Sequence, residues 1–216
     1  MRAALFVDGF NLYHAIDDFR NNRLKWLSLW DLGVRIINRQ SETLVKATYF
    51  SAYANHLQAS HPDVVQRHKD YVAALEATGV EVVLGTFKRK PASCRSCGAR
   101  WARHEEKETD VNIAVQVVAA AHRDLFDVAY VLSADTDLAP ALREVRSIVD
   151  GDGARTKRIV AVFPPIAPGK RRYVSSLQQS SDASINLNES HLLACRLPDQ
   201  LTGRDGSSIL CPAAYK

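Results

Sequence analysis

Along the chain, short apolar and β-branched runs alternate with longer segments of helical period. That alternation is the signature of a parallel sheet covered by helices. It predicts strands at Ala3–Val7, Leu44–Tyr53, Val80–Phe87, Asp127–Ser133 and Arg158–Phe163. The clearest helix runs over Pro62–Thr78, where Val64, Val65, His68, Val72 and Leu75 share one face. Pro62 stands in its first turn, where the missing N–H costs nothing, and Gly79 follows as a stop. Further helices are predicted at Leu12–Phe19, Trp30–Asn38, Val111–Ala121 and Leu138–Val149. After Phe163 the pattern weakens into the loop-like PPIAPGKRR, a short helix around Tyr173–Gln179 and an irregular tail. The expected class is α/β, a mostly parallel sheet with helices on both faces. Residues 1–165 are expected to form the main domain, with residues 166–216 an extension that packs on it or stays partly irregular.

Composition narrows the class little further. A chain of 216 residues with 46% hydrophobic and 24% charged positions can bury a sizeable core and is neither disordered nor fibrous. No run approaches the roughly 18 apolar residues of a membrane span, so no membrane partner is expected. The apolar start MRAALFV reaches Asp8 and Gly9 too soon for a secretory signal and reads as a core strand of a cytoplasmic protein. The net charge of +4 says less than its distribution. Lys88, Arg89, Lys90, Arg95, Arg100 and Arg103 fall in an acid-free stretch from Leu84 to His104. A second such stretch, from Ala154 to Arg172, holds Arg155, Lys157, Arg158, Lys170, Arg171 and Arg172. Such patches suit a polyphosphate partner, although solvated basic loops have the same composition.

In an open parallel sheet, ligands bind beyond the carboxyl ends of the strands. The polar residues there are Asp8, after AALFV, and Asp135 and Asp137, after VAYVL; Asp110 opens the helix between them. Clustered carboxylates repel one another unless a cation binds, and hard ions such as Mg²⁺ or Mn²⁺ take oxygen ligands of this kind. Each acid also has an ordinary structural use. Asp135, Thr136 or Asp137 can cap the helix near Leu138, Asp110 favours a helix dipole, and Asp8-Gly9 suits a turn.

The strings FVDGFNLYH, EEKETDVNIAVQ and VLSADTDLAPALREVR resemble, in order and separation, the motifs of NYN domains, specifically the LabA-like bacterial branch of the PIN-like nuclease superfamily. The resemblance covers roughly residues 1–165, with a weaker echo at LPDQLTGRDG. It implies a PIN-like, Rossmann-type fold and Mg²⁺- or Mn²⁺-dependent cleavage of RNA, with 5′-phosphate and 3′-hydroxyl products. Asp8, Asp110, Asp135 and Asp137 match the family's acidic positions, and Asn11 matches the polar residue after the first acid. Many relatives carry another acid a turn or so after Asp110, where this chain has Asn112 and Gln116. Glu108 is one residue placed to compensate. Asn11, Ser133, Thr136 and Lys107 are further candidates for contacts to phosphate or water.

Cys94 and Cys97 form a CxxC pair followed by Gly98, which resembles one knuckle of a structural zinc site. His104 is a candidate third ligand, and a fourth would come from Cys195, Cys211 or a distant histidine. A surface thiol pair is the alternative. The basic residues around the pair suggest that the loop at 88–104 also touches RNA. Two other function classes remain in view. One is a catalytically weak RNA-binding or regulatory protein, which the amides at 112 and 116 favour. The other, a haloacid-dehalogenase-type phosphohydrolase, requires an acid two residues after Asp8, where Phe10 stands. The oligomeric state stays open, a homo-oligomer included.

Overall fold

The structure, a computed structural model, describes residues 1–170 and 176–216. Arg171, Arg172 and the first part of the helix expected at Tyr173–Gln179 lie outside the described residues. Six strands form one parallel sheet in the order β3-β2-β1-β6-β7-β8. They are β1 (Arg2–Asp8), β2 (Thr43–Ser51), β3 (Glu81–Leu84), β6 (Val128–Leu132), β7 (Arg158–Phe163) and β8 (Ala183–Asn186). Helices α1 (Gly9–Asp17), α2 (Leu29–Ile36) and α3 (Pro62–Ala77) cover one face, where Leu12, Leu32 and Leu75 pack on Leu5 and Val7. On the other face α4 (Thr109–His122) and α5 (Ala139–Arg146) set Ile113, Val117 and Leu142 against Phe6 and Val131. This is the expected α/β class, with a Rossmann-type sheet. Among the described residues no helix is long and apolar enough to cross a membrane.

β1 and β6 are buried almost end to end because both faces are covered, which is why they read as unbroken apolar runs. The run expected at Val80–Phe87 behaves differently. β3 stops at Leu84 and the chain leaves the sheet at Gly85. A Cβ there would stand 2.6 Å from the Lys107 carbonyl oxygen, so glycine permits the two chain segments to pass at contact distance. Beyond it, the expected loop is an antiparallel hairpin of β4 (Thr86–Ser93) and β5 (Arg100–Lys107) that forms a separate two-stranded sheet.

The tail is also more regular than its pattern suggests. After α6 (Ser176–Gln179), β8 adds the sixth strand, α7 (Glu189–Leu193) follows, and β9 (Gln200–Thr202) pairs with β10 (Ser208–Leu210). Leu197, Ile209, Cys211 and Tyr215 cluster with Trp26 and with Ala74 of α3. Trp26 is fully buried, and its indole N–H donates to the Pro198 carbonyl at 2.8 Å.

Candidate active site

β1 lies between β2 and β6, so its carboxyl end sits at the middle of the sheet edge. Asp8 ends β1 and caps α1, with only 2% of its surface exposed. Its carboxylate is fully engaged. Oδ1 accepts the Asn11 backbone N–H at 3.0 Å, while Oδ2 accepts the Asn11 side-chain amide and, at 2.8 Å, the Ser133 hydroxyl. Asn11 Oδ1 in turn accepts the Ala134 N–H at 3.2 Å, and Ser133 Oγ accepts that of Asp135 at 3.0 Å. Asn11 and Ser133 therefore tie the β1 and β6 loops into one unit and fix the Asp8 rotamer. Asp135 also has a structural use, accepting the Asp137 N–H at 2.9 Å as the cap of a short 3₁₀ turn.

Gly9 is what lets α1 start so close to the sheet. A Cβ at that position would meet the Phe50 carbonyl oxygen and the Tyr49 ring, each at 2.6 Å. Gly9→Ala is expected to cost about 1–3 kcal/mol through overpacking, read as a lower denaturant midpoint. An unchanged midpoint would show that Tyr49 yields without strain.

Asp110 stands in the first turn of α4, beyond the Glu108 cap, whose φ is +81°. Partial burial, then the charges of Asp135, Asp8, Glu106 and Asp137, push its carboxyl up to about 6. Burial also raises Asp8, against the lowering effect of its hydrogen bonds from Asn11 and Ser133. Acids at the ends of β1 and β6 and in the first turn of α4 thus lie near enough to feel one another. None of Asp8, Asp110, Asp135 and Asp137 is ion-paired among the described residues.

Glu106 belongs to this group and was not legible as a site residue. It lies opposite Phe87 in the hairpin register, and its Oε1 accepts the Thr109 N–H at 3.0 Å. Glu108, the expected substitute for the missing acid, instead pairs with Lys88 at 3.5 Å. The clustered acids offer hard oxygen donors with surplus negative charge, which fits Mg²⁺ or Mn²⁺ chemically. Among the described residues no three or more His, Cys, Asp or Glu side chains are grouped so that together they could hold a metal ion. A Mg²⁺ ion held by one or two carboxylates, water and substrate phosphate does not require such a cage.

The hairpin carries the first basic stretch. Lys90, Arg103 and Lys107 gather around Glu105, at 2.6, 3.9 and 3.2 Å. Arg89, Arg95 and Arg100 form no ion pair among the described residues, so their charge is open to a partner. Trp101, 51% exposed, stands beside Arg100. At the tip, the Cys94 thiol lies 3.0 Å from the Ser96 hydroxyl and is lowered to about 6, by that hydroxyl first and then by neighbouring backbone N–H groups and Cys97. His104 does not join them. It lies four positions beyond the Ser93–Arg100 pair, about 13 Å along the strand at 3.3 Å per residue, and stacks on His56 at 4.2 Å. Cys195 and Cys211 are buried in other clusters. The ligands proposed for zinc are thus not assembled into a four-donor site within one chain.

Behind Gly9 the structure holds a chamber of about 470 Å³, lined by α1, β2, α3, the hairpin root and Tyr215. Its wall mixes aromatic rings with aliphatic and polar side chains, and no sequence motif pointed to it, because its residues are scattered from Gly9 to Tyr215.

Comparison with known proteins adds three findings. The profile of the NYN domain family matches residues 2–150. The 6-hydroxy-3-succinoylpyridine 3-monooxygenase HspA of Pseudomonas putida is 25% identical over 236 aligned positions, covering 94% of this chain and 72% of the relative. A protein of unknown function from Vibrio parahaemolyticus shares the fold, with a TM-score of 0.50 and 18% identity over 87% of this chain and 93% of the other.

Proposed function

The chain belongs to the NYN domain family, and from that premise we propose that it is a metal-dependent ribonuclease of the LabA-like branch that hydrolyses RNA phosphodiester bonds. The observation that carries this reading is the mutual repulsion of Asp8, Asp110, Asp135, Asp137 and Glu106, which the ends of β1, β5 and β6 and the first turn of α4 bring near one another. One or two of Asp8, Asp110, Asp135 and Asp137, completed by water and substrate phosphate, would hold Mg²⁺ or Mn²⁺. When bound, such an ion lowers the pKa of water and neutralises charge that develops on the phosphate.

The chain's own residues do the rest. Asn11 and Ser133 hold Asp8 in one orientation, so that its charge is placed before substrate arrives. The crowding that raises Asp110 without a cation would be relieved by a bound divalent ion, which favours its ionised form. Glu106 supplies negative charge beside Asp110 that Asn112 and Gln116 cannot. Arg89, Arg95 and Arg100 on the hairpin bind RNA phosphates, with Trp101 as a surface for a base. Hydrolysis in this scheme leaves a 5′-phosphate and a 3′-hydroxyl.

The test is incubation of purified protein with end-labelled single-stranded and structured RNA in Mn²⁺, Mg²⁺ or chelator, beside Asp110→Asn prepared identically. Cleavage that needs the cation and Asp110 is expected. Cleavage that persists in chelator or in the variant would sink the proposal, and tight RNA binding without cleavage would favour a regulatory, RNA-binding role.

One observation favours a second reading. The apolar chamber has the volume of a small-molecule site, and the Pseudomonas relative is named for oxygenation of a hydroxypyridine. In that reading a free aromatic substrate occupies the chamber and is oxidised by dioxygen with an added reductant. Reductant-dependent oxygen uptake with a hydroxypyridine, and no RNA cleavage, is the outcome that would select it.

A further inference from the structure

The chamber opens beside the acids. Gly9 and Phe10, the two residues after Asp8, form part of its wall, and Glu106, whose charge acts on Asp110, forms another part. Its interior offers ring faces and edges. Phe10 meets Phe87 edge to face with centroids 5.8 Å apart, Tyr49 meets Tyr71 at 5.9 Å, and Tyr49 meets His68 at 6.5 Å. Polar groups interrupt the apolar part of this wall. The Ser51 hydroxyl lies 3.2 Å from His68 Nε2.

The lining carries little free charge. Burial lowers His68 to about 4, so it is neutral at pH 7. Lys25 and Arg67 are each paired to an aspartate, Asp17 at 2.5 Å and Asp63 at 2.6 Å. A wall of rings and aliphatic side chains, with hydrogen-bonding groups and the Glu106 carboxylate at hand, suits a planar heterocycle that can donate hydrogen bonds.

The way out of the chamber is equally informative. Phe87 and Glu106 are a register pair at the root of the hairpin. Paired residues of an antiparallel ladder share a face, and alternate pairs return to it. Phe87–Glu106, Arg89–His104, Pro91–Ala102 and Ser93–Arg100 therefore lie on one face. That face runs from the chamber, past the His56–His104 stack, to the open guanidinium groups of Arg89 and Arg100. A ligand with one ring in the chamber would have a cationic track leading away from it and acids beside it.

We infer that the chamber is a base-binding subsite, in which one unpaired nucleobase of an RNA strand inserts while the adjoining phosphodiester lies at the clustered acids and the strand continues along the Arg89–Arg100 face. This deepens the ribonuclease reading and rests on it for the identity of the polymer. A base stacked and paired in a duplex cannot enter, so the subsite selects single-stranded or extruded nucleotides.

The test needs no variant to fold. Fluorescein-labelled single-stranded RNAs are titrated with the wild-type chain in chelator, where cleavage is silent, and binding is read by anisotropy. One set of strands is complete; in others a single nucleotide is made abasic at each position in turn. One abasic position is expected to weaken binding by roughly 5- to 150-fold, the range of a single base–aromatic stack, and the duplex form is expected to bind more weakly than the single strand. Phe87→Leu keeps the bulk at the chamber wall but removes the ring, and is expected to erase most of the difference between complete and abasic strands. Equal binding of all abasic strands would overturn the inference and leave the cleavage assay to judge the ribonuclease reading separately. Base-dependent binding by a chain that never cuts RNA would keep the subsite and sink the ribonuclease reading. Displacement of Tyr and His ring signals by a free hydroxypyridine, with no such displacement by RNA, would assign the chamber to a small molecule and overturn the inference.

Discussion

Asp110→Asn is expected to lower RNA cleavage by about 10²–10³-fold or more, the scale on which a single charge-stabilising group acts in an active site, while making the cation-free protein more stable at pH 8. The two effects have one cause. Asp110 is held among other carboxylates and its carboxyl is raised from 3.8 to about 6. Between those values the folded chain keeps a proton that the unfolded chain has released, so stability falls as pH rises through that window and stays lowered above it. The amide carries no charge and escapes this penalty. Thermal melts in chelator should therefore show the variant above wild type at pH 8, with the two converging below about pH 3.8. Mg²⁺ or Mn²⁺ should raise the wild-type midpoint more than that of the variant, since only a state that binds the ion gains from it. A variant that melts lower than wild type at pH 8 in chelator would contradict the crowded-carboxylate account.

The second large effect is expected on the hairpin. Changing Arg89, Arg95 and Arg100 together to Ala should weaken single-stranded RNA binding and reduce the slope of log affinity against log salt by about two, since each phosphate contact to a single strand contributes about 0.7. The comparison variant changes Lys90, Arg103 and Lys107, which share Glu105 and whose charge is already partly answered. Its slope should change less. Equal slopes for both variants and wild type would remove the hairpin from the RNA interface. Circular dichroism guards the result, because neither set of residues is buried in the main core.

How much of this was legible depended on what each segment packs against. β1, β6 and β7 stand in the middle of the sheet with both faces covered, so burial imposes the apolar runs by which they are read. α3 shows its period because one side faces the sheet and the other faces water. The hairpin shows none, because most of both its faces meet solvent, and apart from the Phe87–Glu106 pair at its root little selects between strand and loop composition. The tail strand β8 is a short edge strand in which only Ile185 packs on the core, and four residues carry too weak an alternation to read. The four aspartates could be found because the carboxyl ends of strands are definite places in a sequence. Glu106 could not, since its position follows from the hairpin register. The chamber needed the whole tertiary structure, with Leu12, Tyr49, His68, Phe87 and Tyr215 arriving from five parts of the chain.

The close passage at Gly85 has an evolutionary consequence. Thr86 and Lys107 are paired at the stem, and the Lys107 carbonyl sits against Gly85, so the segment between them departs from the domain and returns at one spot. Closing that gap with a short turn carries little entropic cost, and the parallel sheet draws no strand from the excursion. The hairpin is thus a cassette, free to lengthen, shorten or be exchanged while the acid-bearing framework keeps folding as before. Exchanging Lys88–Glu105 for a relative's segment, with the Phe87–Glu106 pair kept, becomes a direct way to alter the basic surface without disturbing the acids.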